Sequence, residues 1–129
     1  MRVAPYLLSA LLLGASLATA DAAPATIEGS WSGSGIAKLR NRTDRIVCRV
    51  SFARIEGKSF RVSALCSTGG RRFEESGRVT SVGGNRYTGW VFNDQFNERG
   101  NIVLSQRGSR LSVIVSGGRG TATLTLSKN

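Results

Sequence analysis

Residues 47–66 read VCRVSFARIEGKSFRVSALC, two alternating runs on either side of Glu56-Gly57-Lys58, with the chain's two cysteines near the outer ends. Alternation with period two is the signature of a strand with one buried face, and a glycine between two such runs marks a hairpin. If the hairpin centres on Gly57, Cys48 faces Cys66, Val50 faces Ala64 and Phe52 faces Val62. The same register sets Arg49 against Leu65 and Ser51 against Ser63. One register therefore gathers the apolar residues on one face and turns the arginines to the other. Opposed residues of an antiparallel pair lie close enough for a disulfide, so a Cys48–Cys66 bridge is expected.

Working outward, the pattern continues. After Pro24 the chain contains no proline, and most of its 16 glycines separate short alternating runs. The runs are Trp31 to Leu39, Arg45 to Phe52, Ser59 to Cys66, Arg72 to Val82, Tyr87 to Phe92, Asn101 to Gln106, Leu111 to Val115 and Thr121 to Leu126. No segment sustains a helical period of apolar residues. The reading is all-β: a single antiparallel up-and-down β-barrel of about eight strands with one disulfide, since closure removes the exposed edges of such a sheet. Parity at the C-terminal end sets Val113 against Leu104, Val115 against Ile102 and Leu124 against Val113. The expected interior is Val, Leu and Ile from these strands, with Trp31, Phe52, Phe60, Phe73 and Trp90, and Phe92 as a further candidate. A barrel of this size has room for side chains and at most one small ligand.

The first 20 residues, with Arg2 as the only charge, an apolar core and a small-residue end Ala18-Thr19-Ala20, read as a secretory signal peptide. Residues 21–28 form a short flexible N-terminal segment and residues 29–129 the barrel domain. Export to the periplasm or the medium follows, and an oxidising compartment suits the disulfide. Without the leader the chain keeps 17 basic and 8 acidic residues, a net charge of +9, with 14 arginines and 3 lysines.

Chemistry is sparse. There is no histidine, which removes the usual general base, metal ligand and nucleophile partner. Both cysteines are committed, no metal or cofactor motif is present, and Glu74 and Glu75 point to opposite faces of a strand. Asp94 and Glu98 in the loop NDQFNE are the carboxylates placed to share a site, and loop acids are normally solvated. A non-enzymatic binding protein is expected.

The arginines carry the spatial information. In the register above Arg45, Arg49 and Arg61 face outward, alternation adds Arg72 and Arg78, and the loop KLRNRTDR brings Lys38, Arg40 and Arg42 towards them. A basic stripe of this kind suits electrostatic association with envelope polyanions, lipopolysaccharide or anionic lipid. Aromatic residues that would stack on bases are missing from the stripe, so sequence-specific nucleic-acid binding is not expected.

Gly29-Ser30-Trp31 at the start of the first strand is similar to the Gly-x-Trp that opens calycin barrels, which include lipocalins, avidins and small bacterial metalloprotease inhibitors. The resemblance implies that Trp31 closes one barrel end beneath a basic residue from the last strand, for which Arg119 is the candidate. It also implies an alternative function, protease inhibition, in which the segment DAAPATIEGS would enter a protease cleft.

Overall fold

The computed structural model describes Thr26 to Asn129, together with Gly14; the expected signal peptide, apart from Gly14, and the first part of the expected N-terminal segment lie outside the described residues. Eight antiparallel strands follow one another: β1 (Gly29–Leu39), β2 (Thr43–Glu56), β3 (Ser59–Thr68), β4 (Arg71–Gly83), β5 (Arg86–Asn93), β6 (Glu98–Arg107), β7 (Arg110–Gly117) and β8 (Gly120–Lys128). Each pairs with its sequence neighbour, and β8 returns to β1 to close the barrel. The hairpin register is the one read from parity, with Cys48 opposite Cys66, Val50 opposite Ala64 and Phe52 opposite Val62. Val113 likewise sits between Leu104 and Leu124. Cys48 and Cys66 are bonded, and closing an 18-residue separation stabilises the fold by about 3 kcal/mol through the unfolded chain.

Gly57 turns the β2–β3 hairpin with φ of 50°, in the left-handed region that costs glycine nothing. Gly33 and Gly35 have a different task. Both point inward on β1, and a Cβ on either would overlap backbone of β8, the Thr125 and Thr123 carbonyl oxygens respectively. The small residues of GSWSGSG let β1 approach β8 closely enough to close the sheet.

The core is most tightly packed in one half of the barrel. At the end where β1 begins, Ile27, Trp31, Val62, Val79, Leu104, Leu111 and Leu126 are almost wholly buried, and Phe60 meets Tyr87 edge to face with centroids 5.8 Å apart. Trp31 is the plug. Its Nε1–H donates to the Ile27 carbonyl at 2.8 Å, so the residues just before β1 fold under the barrel with Ile27 fully buried. Gln106, buried at the same end, donates through Nε2 to the carbonyls of Gly108 (3.1 Å) and Thr26 (3.4 Å).

Two sequence expectations need correction. Trp90 faces outward, 36% exposed, because β5 sends Tyr87, Gly89, Val91 and Asn93 inward; Phe92 shares the outward parity of Trp90. The Arg99 guanidinium lies 4.9 Å from the Trp90 ring centre and covers it on the outside. The cation above Trp31 is Lys128, 5.7 Å from the ring centre, and not Arg119. Trp31 opens β1 and therefore pairs with the end of antiparallel β8, whereas Arg119 precedes β8 at the opposite end.

Candidate ligand-binding site

Above the packed half the barrel is hollow. A cavity of about 940 Å³ is walled by Ile46, Val50, Val91, Ile102, Val113 and Leu124, with the Cys48–Cys66 bridge and Phe73 also on its surface. Its size falls within the range of small-molecule sites. Four connections surround the open end: Arg40 to Arg42, Gly69-Gly70, Asp94 to Asn97, and Gly118-Arg119. The inward parity that fills the closed half with large side chains places smaller ones here, Ala64 and Ala122 among them.

The mouth is polar and partly self-neutralised. Arg42 Nε pairs with Asp44 at 2.9 Å. Arg119 Nε pairs with Glu98 at 2.8 Å, and the Arg119 backbone N–H donates to the same carboxylate at 2.9 Å. The Arg119 guanidinium also lies 4.5 Å from the centre of the Phe96 ring, so the β5–β6 and β7–β8 connections are clamped together. Asn93 Oδ1 accepts from the Gln95 and Phe96 backbone N–H groups and shapes the loop before that clamp.

Of the three acids that line the cavity, Asp44, Glu75 and Glu98, Glu75 is the one that makes no ion pair among the described residues. Burial in the cavity wall raises its pKa above the ordinary value, the Glu98 charge raises it further, and a hydrogen bond from the Asn93 side chain acts the other way. Glu74, one residue earlier, is on the outer face, as alternation requires. The Asp94 and Glu98 pair considered from the loop sequence does not form a site. Asp94 is exposed, and Glu98 is engaged with Arg119 and lies near Glu75. The relation between Glu75 and Glu98 crosses β5, and a residue count along the chain does not reveal it.

All seven arginines of the expected basic stripe are exposed: Arg40, Arg42, Arg45, Arg49, Arg61, Arg72 and Arg78. The barrel does not hold them in one group. Arg45, Arg49 and Arg72 share the outer face of β2 to β4 in the half nearer the mouth. Arg61 and Arg78 face each other in the half nearer the closed end, where Arg78 also meets Glu56 at 3.3 Å. Between the two groups runs a row of serines, Ser30, Ser51, Ser63 and Ser76, paired across four strands. Arg40 and Arg42 belong to the rim, where Arg42 serves Asp44.

No family model matches the chain, and no curated protein does. Among solved structures, a redesigned β-barrel, mFAP0, bound to DFHBI, is similar with a TM-score of 0.69 at 12% identity, over 79% of this chain and 98% of that one. Another redesigned barrel, b11L5F_LGL, gives a TM-score of 0.67 at 15% identity over 80% and 91%. The natural protein Rv2717c from M. tuberculosis gives 0.54 at 14% identity over 80% and 92%. At these identities the likeness is one of fold alone: a small closed antiparallel β-barrel.

Proposed function

We propose that the chain is an exported, non-enzymatic binding protein whose barrel holds one small molecule with an apolar body and a polar end at the mouth. The observation that carries this reading is the open cavity of about 940 Å³ above a packed, tryptophan-plugged floor. An apolar wall gives affinity by burial, and polar groups gathered towards the mouth, Glu75 in the wall among them, fix the ligand's direction. That a similar barrel is bound to DFHBI agrees with this use of the interior. The expected leader and the disulfide both support an exported setting, periplasm or medium.

The test is titration of the purified domain with Nile red, a neutral dye whose emission rises in apolar surroundings. Ala122→Trp and Ala64→Trp each fill the cavity from a different wall, and each should weaken binding about tenfold or more with the circular dichroism unchanged. Wild-type affinity in both folded variants would refute interior binding.

A second reading concerns the outer surface, association with an envelope polyanion such as lipopolysaccharide or anionic lipid. It is favoured by Arg45, Arg49 and Arg72, exposed and without an ion-pair partner among the described residues. Protease inhibition through the N-terminal segment has less support, because the end of that segment is committed: Ile27 is buried and its carbonyl is held by Trp31.

A further inference from the structure

The arginines nearer the mouth are interleaved with exposed aliphatic residues. On β1 Ile36 is 50% exposed, on β2 Val47 is 47% exposed and on β3 Leu65 is 44% exposed. Their positions follow from the register. Ile36 lies opposite Arg45, Val47 is two residues further along β2 and opposite Ser67, and Leu65 is two residues back from Ser67 and opposite Arg49. Each step moves one strand over and two residues towards the closed end, so the three side chains are diagonal neighbours on one side of the barrel. Arg45 and Arg49 flank Val47 on its own strand, and Arg72 lies beyond Ser67 on β4. Adjacent strands are about 4.8 Å apart, which keeps three neighbouring strands on one side of the curved wall. A single acid, Glu74, borders the patch, opposite Leu65.

We propose that this face docks on an anionic phospholipid bilayer, with Arg45, Arg49 and Arg72 at the headgroup phosphates and Ile36, Val47 and Leu65 in the interfacial layer. The inference rests on the polyanion reading of the outer surface and names its partner. Charge complementarity selects an anionic surface. The aliphatic staircase selects a bilayer among anionic partners, because a soluble polyanion offers no apolar layer and a nucleic acid rewards aromatic rings on which bases stack. The patch begins beside the open end, where Ile36 and Arg45 stand within a few residues of the β1–β2 connection. Docking there brings the cavity mouth next to the membrane, from which an amphipathic occupant could enter.

The mature chain is tested by cosedimentation with vesicles of equimolar phosphatidylglycerol and phosphatidylcholine, with vesicles of phosphatidylcholine alone, and by titration with dextran sulfate and a single-stranded oligonucleotide. Wild-type protein should bind the anionic vesicles and not the neutral ones. Combined Ile36→Ser, Val47→Ser and Leu65→Ser should lower anionic-vesicle binding about tenfold or more and leave dextran sulfate binding unchanged. Combined Arg45→Glu and Arg49→Glu should abolish both. All five side chains project from the outer wall, and circular dichroism with urea midpoints confirms that the variants fold. Vesicle binding by the serine variant at wild-type strength would overturn docking by insertion while leaving the polyanion reading intact. Failure of wild-type protein to bind either vesicles or dextran sulfate would end both. Displacement of the protein from vesicles by the oligonucleotide at lower concentration would replace the bilayer with a nucleic acid.

Discussion

Trp31→Ala removes the plug of the barrel, and its cost follows from what surrounds the ring. The side chain is fully buried, and truncating a buried aromatic to alanine leaves a void worth about 3–5 kcal/mol. The variant also strips the donor from the Ile27 carbonyl, whose side-chain donor among the described residues is Trp31 Nε1 at 2.8 Å. A buried acceptor left without a partner costs about 1–3 kcal/mol, although water entering the new void offsets part of it. The two contributions overlap at one place, so a loss of about 5 kcal/mol is expected, a large share of the 5–15 kcal/mol typical of a domain. Urea unfolding followed by far-ultraviolet circular dichroism, with the disulfide intact, measures this directly. Trp31→Phe separates the two parts: the ring still fills most of the space, so a loss of about 1–3 kcal/mol reports the missing hydrogen bond. A loss below about 1 kcal/mol for Trp31→Ala, or equal losses for the two variants, would refute the plug.

Gly35→Ala should destabilise the barrel by about 2 kcal/mol or more in the same assay, because its Cβ would overlap the Thr123 carbonyl oxygen. Ser34→Ala, on the outward parity of the same strand, should change stability by less than about 0.5 kcal/mol. Glu75→Gln tests the mouth. Since the folded-state pKa of Glu75 is raised, the folded chain holds the proton more tightly than the unfolded one, and ionisation erodes stability as pH rises above the ordinary value of 4.5. The variant should therefore be more stable than wild type at pH 7 and indistinguishable from it once the pH falls below that value, as read from urea midpoints across the range.

Parity made the β2–β3 and C-terminal registers legible, because a one-residue slip would have turned every apolar side chain of Val47 to Cys66 to the other face. It failed where both faces of a strand carry apolar residues. Trp90, Val91 and Phe92 form a continuous run, and hydrophobicity alone cannot say which of two parities points inward. The deciding fact is Arg99 over the Trp90 ring, and Arg99 reaches it only once β5 and β6 are paired. The exchange of Arg119 for Lys128 could have been read, since antiparallel closure of β8 on β1 sets the start of one strand beside the end of the other. The split of the arginine stripe could have been read in part, since the β2–β3 register already sets Arg61 opposite Ala53, four residues from Arg49; the places of Arg72 and Arg78 depend on how far β4 slides along β3. The cavity was likewise invisible: its existence depends on which half of each strand bears the larger inward residues, and on closure bringing those halves level.

One arginine-rich composition is thereby divided among separate tasks by alternation and loop position. Arg42 and Arg119, carried by the connections at the mouth, reach carboxylates whose strands point them inward, Asp44 and Glu98. Arg99 and Arg54 lie over the Trp90 and Phe60 rings. Arg45, Arg49 and Arg72 stand on the outer face with neither a carboxylate nor a ring assigned to them, and their neighbours across the strands are aliphatic or serine. Cations that stabilise the fold acquire partners within it. An unpaired group of three, held on rigid strands beside exposed Ile36, Val47 and Leu65, retains its attraction for an external anion, and solvent alone gives no reason for aliphatic residues to accompany it. The position of that group at the open end joins the two halves of the proposed function, because a membrane docked there would face the entrance of the barrel cavity.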